Sequence, residues 1–314
     1  MTKQFMPYQQ PRFVGFADVL GYKTIVLSKQ HTDAQRFRYL HSVFMALAQG
    51  ALDVVNDLSG IATVRAVQFS DSFYFSSSSA VAIVSAMSNF FANVFTIYDN
   101  TFNAHDEWLP FLRGGIVHDW MFEGLDISLP SLQNQHDAFR NPIGPAIAKA
   151  YLLSEETGVE GMRLVATKDV RDRFEAELPG VDPSKVLGVW SSPLHPVFLK
   201  NYADCGEIFE VPWFESRLQT DNTIGTFDVL RSAERQFNDR SMKHYRGTWD
   251  AILRTPGVQN NQTLRSVAAD IRRDTVQRMA FANWRRRGGP LWQDLHDWFA
   301  AEGIIKSDWP KSNE

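Results

Sequence analysis

Residues 12–23 of the chain read RFVGFADVLGYK, and this stretch indicates how the fold begins. The apolar run from Arg12 to Ala17 is typical of a buried strand, and it ends at Asp18, shortly before Gly21. Glycine lets the backbone approach a ligand closely, and the start of a helix presents free N–H groups to phosphate oxygens. The stretch therefore predicts a strand, a loop and a helix, with an acidic side chain where the strand ends.

Beyond this stretch, the pattern of apolar and polar residues predicts strands and helices along the chain. The predicted elements are a helix at 34–55, strands at 62–67 and 73–75 joined by a hairpin turn, a helix at 81–98, a strand at 111–118, a helix at 145–155 and a strand at 163–167. Asp71 lies at the tip of the predicted hairpin. This order predicts an α+β, ferredoxin-like domain, with helices on one face of a mainly antiparallel sheet.

The sequence changes character after about residue 183. Pro193, Pro196 and Pro212 interrupt an irregular or strand-rich stretch, and two helical patterns follow at 227–254 and 264–287. We therefore expect two parts, a first domain at 1–183 and a C-terminal, mainly helical extension at 184–314.

Composition narrows the class of protein. The chain has 314 residues, of which 44% are hydrophobic and 22% charged, the balance of a folded protein. A formal net charge of -4 gives no reason to expect nucleic acid or an anionic membrane as a partner. The single cysteine, Cys205, forms no internal disulfide, and polar residues interrupt the apolar stretch at 81–98. We expect a soluble, cytoplasmic protein.

Two carboxylates stand out as candidates for chemistry. Asp18 and Asp71 each follow or join a predicted strand, and acidic side chains at strand ends hold the divalent ions that phosphoryl transfer uses. Taken alone, either residue is better explained by a plain structural role, Asp18 as a helix cap and Asp71 as a turn former. Their combination with other motifs favours the metal hypothesis.

Four segments, in this order, resemble motifs of the class III adenylate and guanylate cyclases. Phe16–Lys23 resembles the first metal motif, Phe69–Tyr74 the second, Leu112–Ile116 the family's Leu-Arg-x-Gly-Ile strand, and Thr157–Leu164 the segment that ends in a triphosphate-binding lysine. The second motif has Ser70 where the family usually has glycine, and the fourth has Arg163 in place of the lysine. The resemblance covers roughly residues 12–170.

The resemblance implies a role for each matching position. Asp18, Asp71 and the carbonyl of Val19 would bind two ions, Mg²⁺ or Mn²⁺, since hard oxygen ligands suit these metals. Gly21 and Tyr22 would approach the triphosphate.

Two arginines would complete the triphosphate site. Arg113 would bind the triphosphate from the same subunit and Arg163 from the partner subunit of a homodimer. Guanidinium groups bind pairs of phosphate oxygens well, although each arginine is equally compatible with an ordinary surface role.

Two departures from the family pattern bear on activity and substrate. The asparagine and arginine that steady the family's transition state fall on Ala148 and Leu152, so another cation such as Lys149 would have to replace them. The purine-reading lysine and aspartate fall on Val67 and Asn141. Val67 cannot donate to a purine, whereas Asn141 can donate to or accept from either pyrimidine edge.

This divergence resembles the cyclases of the bacterial Pycsar antiphage systems. The resemblance implies a uridylate cyclase that makes 3′,5′-cyclic UMP and pyrophosphate, with the product read by a downstream cyclic-nucleotide receptor. Two alternatives remain: a cytidylate cyclase, or a non-catalytic nucleotide-binding regulator with the cyclase fold. UTP is placed ahead of CTP on the resemblance alone, because an asparagine amide can turn to meet either base.

Overall fold

In the part of the chain that the structure describes, seven strands form one sheet. The computed structural model describes residues 8–22, 45–53, 55, 63–69, 71–101, 109, 111–123, 143–156, 158–180, 196–202, 206–218, 223–237 and 242–288. The strands are β1 (Tyr8–Val19), β2 (Arg65–Phe69), β3 (Ser72–Ser77), β4 (Leu112–Glu123), β5 (Leu164–Thr167), β6 (Val197–Tyr202) and β7 (Gly206–Val211). They lie in the order β2-β3-β1-β4-β5-β7-β6, with β4 and β5 parallel and the other neighbouring pairs antiparallel.

Helices cover this sheet and confirm the predicted α+β class. They are α1 (45–53), α2 (Ala80–Thr101), α3 (Pro145–Glu155), α4 (Lys168–Glu177), α5 (Glu215–Leu218), α6 (Thr223–Ser232), α7 (Met242–Arg254), α8 (Pro256–Gln259) and α9 (Gln262–Arg286). The predicted helices at 81–98 and 145–155 and the hairpin with Asp71 in its turn are confirmed. None of the described helices is long and apolar enough to cross a lipid bilayer.

The helices pack on both faces of the sheet, which corrects the expectation that they cover one. Phe13 and Ala17 of β1 belong to the larger core with α2, whereas Val14 and Phe16 face α3. The close approach of α3 depends on Gly115 of β4, because a Cβ there would come 2.7 Å from the carbonyl oxygen of Ala150. That distance is shorter than any contact a real side chain makes, so glycine at this strand position makes room for the helix.

The strand register arranges the side chains that face α3 in rows across the sheet. Side chains directly opposite each other on paired strands point to the same face. The row at the end of β1 consists of Ser72, Asp18 and Arg113. The next row, two residues further along each strand, consists of Val67, Tyr74, Phe16 and Gly115.

The first two described strands after residue 196, β6 and β7, belong to the same sheet. β7 pairs with β5, and the buried side chains of Phe227 and Trp249 belong to the core that also holds Phe13 and Phe90. The predicted boundary at residue 183 lies outside the described residues and stays a prediction.

The predicted helix at 227–254 is wrong as a single element. α6 ends at Ser232, a 3₁₀ turn follows at Ala233–Gln236, and Phe237 is extended before α7 begins. The ring of Phe237 packs 4.8 Å from Phe111 and 5.5 Å from Tyr245, measured between centroids. The packing of this aromatic side chain therefore outweighs the local helical propensity, and the helix does not continue through Phe237.

α7 docks directly on the segment that leads into β5. The backbone N–H of Met162 donates to Oγ1 of Thr248 at 2.8 Å, and that of Gly161 donates to Nδ1 of His244 at 3.3 Å. A Cβ on Gly247 would lie 2.2 Å from the carbonyl oxygen of Glu160. The two backbones are thus in contact, and α7 fixes the segment that precedes β5.

Candidate active site

Asp18 is held in place by its neighbours on both sides in the sheet. The Ser72 hydroxyl donates to Asp18 Oδ1 at 3.0 Å, and Arg113 Nη2 donates to Asp18 Oδ2 at 3.3 Å. Both contacts follow from the register, since Ser72 and Arg113 are the residues directly opposite Asp18. The carboxylate is therefore positioned by strands rather than by a loop.

Asp71 brings a second carboxylate to the same place. It lies in the turn between β2 and β3, whose closing pair is Phe69 and Ser72. Burial raises the pKa of Asp18; Arg113 and the Ser72 hydrogen bond oppose this effect, whereas the Asp71 charge adds to it. The structure thus brings the two predicted carboxylates close enough to repel each other, which is the situation that a bound cation relieves.

The carboxylate oxygens of Asp18 and Asp71 suit a hard divalent cation, but few side chains at this place can bind one. The described residues contain no group of three or more His, Cys, Asp or Glu side chains arranged to hold a metal ion. Two carboxylates can hold Mg²⁺ or Mn²⁺ where backbone and substrate oxygens supply the remaining ligands. The metal-binding role of Asp18 and Asp71 stays a prediction.

Glu155 is a third acidic residue at this site, and its place here was not predicted from the sequence. It lies in the last turn of α3 and pairs with the same Arg113 Nη2 that contacts Asp18. Burial raises the pKa of Glu155, and the charges of Asp18 and Asp71 act in the same direction while Arg113 opposes them. No motif marks this position, because its place depends on how α3 crosses the sheet.

The loop after β1 has the form expected at a phosphate site. Gly21 has a φ of 78°, and a Cβ there would meet no heavy atom of the described residues within 4 Å, so none of them blocks a ligand from the backbone. Burial together with the Asp71 charge raises the pKa of the Tyr22 phenol. Lys23 lies outside the described residues.

Arg163 is not brought to the carboxylates of its own chain. Its residue is 8% exposed, its Nε donates to the carbonyl oxygen of Gly247 at 3.3 Å, and it lies 3.6 Å from Glu210 Oε1. Glu210 also pairs with Arg254, at 3.3 Å. These contacts hold Arg163 inside the subunit, and its predicted role toward a partner's triphosphate stays a prediction.

Val67 lies in the row beside Asp18, directly opposite Tyr74. Phe16 belongs to the same row, and its ring centroid lies 5.1 Å from that of Tyr74 and 5.4 Å from that of Tyr151 of α3. Val67 therefore shares a face and a neighbourhood with the carboxylates, as a base-contacting position requires. Asn141, its predicted partner in reading the base, lies outside the described residues.

The positions of the missing transition-state residues are exposed on α3. Leu152 is 39% exposed, and Ala148 is also exposed. Lys149, the suggested replacement cation, pairs with Asp119, which lies six residues and therefore roughly 20 Å along β4 from Arg113. The structure does not bring Lys149 to the carboxylates.

Comparison with known proteins gives similarities of structure. No protein-family profile matches the chain, and no curated protein matches its sequence. A bacterial light-regulated adenylyl cyclase matches with a TM-score of 0.47 and 12% identity, covering 74% of this chain and 60% of that chain.

Two further cyclases match over most of their own length. The adenylyl cyclase CyaB from P. aeruginosa has a TM-score of 0.42 and 11% identity, covering 66% of this chain and 95% of that chain. The guanylyl cyclase Cya2 has a TM-score of 0.43 and 10% identity, covering 66% and 93%.

Proposed function

We propose that the protein is a nucleotide cyclase that converts a nucleoside triphosphate to a 3′,5′-cyclic mononucleotide and pyrophosphate. The observation that carries the proposal is the convergence of Asp18, Asp71 and Arg113 at one edge of the sheet, beside the open backbone at Gly21. Two acidic groups, a guanidinium and an accessible glycine are what a metal-bound triphosphate needs.

The reaction forms one P–O bond and breaks one. The ribose 3′ oxygen attacks the α-phosphorus and releases its proton to water, while the bond from the α-phosphorus to the bridging oxygen breaks and pyrophosphate leaves. Divalent ions bound by Asp18 and Asp71 would neutralise phosphate charge and lower the pKa of the 3′ hydroxyl. Arg113 binds oxygens of the departing pyrophosphate, and Ser72 keeps the Asp18 carboxylate oriented.

The substrate we propose is a pyrimidine triphosphate, with UTP preferred to CTP. Val67 supports this choice because its side chain shares the α3 face with Asp18 and offers no donor to a purine. A purine edge that loses its buried partners is costly to bind in a closed pocket. The order of UTP and CTP rests on the resemblance to the Pycsar cyclases, as does a role of the product as an antiphage signal for a receptor.

We further propose that the protein acts as a homodimer. Tyr151 and Leu152 of α3 are 45% and 39% exposed and lie on the helix that borders the site. Exposed apolar side chains beside a site support an interface at this place.

The test is turnover of the purified protein with each of the four nucleoside triphosphates, with Mn²⁺ and separately with Mg²⁺, read by mass spectrometry. We expect cyclic UMP, with Asp71→Ala as the inactive control. Preference for ATP or GTP would refute the base-site proposal while leaving the cyclase proposal intact.

One observation favours a second function. Ala148 and Leu152 are exposed at the two positions where the cyclase family has its transition-state asparagine and arginine, and neither side chain can replace them. A non-catalytic regulator with the same site would bind a triphosphate without converting it. Saturable binding with no cyclic product under either metal would select this alternative.

A further inference from the structure

Arg113 is engaged by two carboxylates through a single nitrogen. Nη2 contacts Asp18 from β1 and Glu155 from α3, and the side chains of Arg113 and Glu155 are 24% and 22% exposed. The Nε of Arg113 is buried and has no hydrogen-bond partner among the described atoms. Two carboxylates therefore share one nitrogen of the guanidinium while Nε donates to neither, although the planar group can form two parallel bonds to a single anion.

Glu155 adds a negative charge where the proposed ligand is already strongly negative. Asp18 and Asp71 both act electrostatically on Glu155, so three acidic groups and Arg113 form one coupled cluster. In the proposed reaction Asp18 and Asp71 bind the divalent cations. Glu155 has no role in that reaction, and it pairs with the Arg113 guanidinium that would bind the triphosphate.

We propose that Glu155 is a built-in competitor of the triphosphate for Arg113, so that the nucleotide binds only by exchanging its phosphate oxygens for the Glu155 carboxylate. The inference rests on the proposed function, since it concerns the same site. It makes Glu155 a residue that sets the affinity for the triphosphate by acting through Arg113.

The position of Glu155 on α3 suits such an exchange. The preceding residues Leu153 and Ser154 are buried, and the carbonyl of Ala150 lies against Gly115, so the helix backbone is fixed on the sheet. The Glu155 side chain is partly exposed and can turn toward solvent without moving the helix. Release of Arg113 thus requires a side-chain rotation only.

The test is Glu155→Gln, which removes the charge and keeps the shape. Partly exposed ion pairs contribute modestly, so we expect pyrophosphate with Mn²⁺ to bind about two- to fivefold more tightly by calorimetry. The KM for the nucleotide should fall by the same factor with kcat unchanged within about twofold, because ground state and transition state gain equally. Glu156→Gln is the matched control, since Glu156 is the next residue, is exposed and undergoes the same charge change; its binding should equal that of the wild type.

A double mutant separates competition at Arg113 from general repulsion. In an Arg113→Gln background, Glu155→Gln should leave pyrophosphate binding unchanged. Equal tightening in both backgrounds would show direct repulsion and overturn the inference, as would unchanged affinity of the single variant. Weaker binding of Glu155→Gln, with its melting temperature retained, would show that Glu155 holds Arg113 in place for the ligand. Absence of triphosphate and pyrophosphate binding by the wild type would instead overturn the proposed function and this inference with it.

Discussion

Asp18 Oδ2 and Arg113 Nη2 lie 3.3 Å apart across the β1–β4 pairing, at positions that the register places directly opposite each other. One side chain follows the first strand, and the other lies 95 residues later at the start of a strand with two glycines after it. The ion pair therefore depends on the sheet register, and a shift of one residue would send the two side chains to opposite faces.

Asp18→Asn should remove activity without destabilising the fold. Burial raises the pKa of Asp18 in the folded protein, so above that pKa the charged form costs the native state free energy that the unfolded chain does not pay. A neutral amide removes this cost, and we expect a melting temperature at neutral pH equal to or above that of the wild type. Product formation should fall by about a thousandfold or more, as for loss of a group that stabilises the transition state.

Asp172→Asn is the control for this prediction, because Asp172 is exposed on α4 and takes no part in the site. Both its turnover and its melting temperature should match the wild type. Turnover of Asp18→Asn within tenfold of the wild type would defeat the metal assignment.

Val67→Lys should raise turnover of purine triphosphates relative to UTP, most clearly when combined with Asn141→Asp. The substitution places a donor beside Tyr74 on the face that carries Asp18. The measurement is kcat/KM for four triphosphates at fixed Mn²⁺. Val67→Met, which stays apolar, should keep the wild-type ranking, and an unchanged ranking in the lysine variants would show that Val67 does not face the base.

Local pattern predicted the elements around the site well. Asp18 and Asp71 could be singled out because the apolar run before Asp18 and the β-prone stretches around Asp71 have short-range signatures. α3 was predicted within its observed bounds, since Pro145 is favoured in the first turn and an apolar pattern follows.

The sequence did not predict side-chain contacts between residues that are far apart along the chain, because these contacts depend on tertiary packing. Glu155 reaches Arg113 only because Gly115 lets α3 lie against the sheet. Arg163 is enclosed by Glu210 and Gly247, and nothing local to Arg163 in the sequence indicates these contacts. Phe237 ended a helical pattern because its ring fills a space beside Phe111, which is a tertiary effect.

Arg163→Ala should lower stability, because Glu210 and the Gly247 carbonyl would lose a buried partner. Hydrogen bonds to a charged group contribute about 2 kcal/mol, so the loss should be visible in urea unfolding. The buried position also bears on turnover. If Arg163 only supports the fold, a folded Arg163→Ala chain should turn over at a rate close to that of the wild type. If Arg163→Ala is instead inactive, its co-expression with Asp71→Ala tests whether the two subunits share a site.

Recovery in verified mixed dimers would place Arg163 in the partner's site, as the cyclase resemblance implies. Arg173→Ala is a suitable control for the stability measurement. Arg173 lies on the exposed surface of α4 in an i,i+4 pair with Asp169, so its loss should change the free energy of unfolding by less than about 1 kcal/mol.

Gly247→Ala should destabilise the protein strongly, because the added Cβ would lie 2.2 Å from the Glu160 carbonyl oxygen and would push α7 off the segment before β5. Overpacking against backbone costs about 3 kcal/mol. Gly180→Ala is the matched control, since a Cβ there meets no atom of the described residues within 4 Å. Equal urea midpoints for the two variants would show that α7 does not dock as described.

Acid should weaken the contact between α7 and the same segment through His244. Burial lowers the pKa of His244, the charges of Lys243 and Arg113 lower it further, and Glu160 opposes them. The folded state therefore holds the imidazole neutral, with Nδ1 accepting from the Gly161 N–H at 3.3 Å. Because the pKa is lower in the folded chain than in the unfolded one, the unfolded chain binds more protons, and stability falls as the pH falls.

The contribution should be fully present above the unfolded pKa of about 6.5 and should be lost as the pH drops through the lower folded value. His244→Gln keeps an acceptor for Gly161 and cannot titrate. We therefore expect the difference in melting temperature between wild type and His244→Gln to change in favour of the variant between pH 7.5 and pH 5. If the melting temperatures of the two proteins instead change in parallel with pH, His244 has the same pKa in the folded and unfolded chains. That result would show that burial does not hold the imidazole neutral.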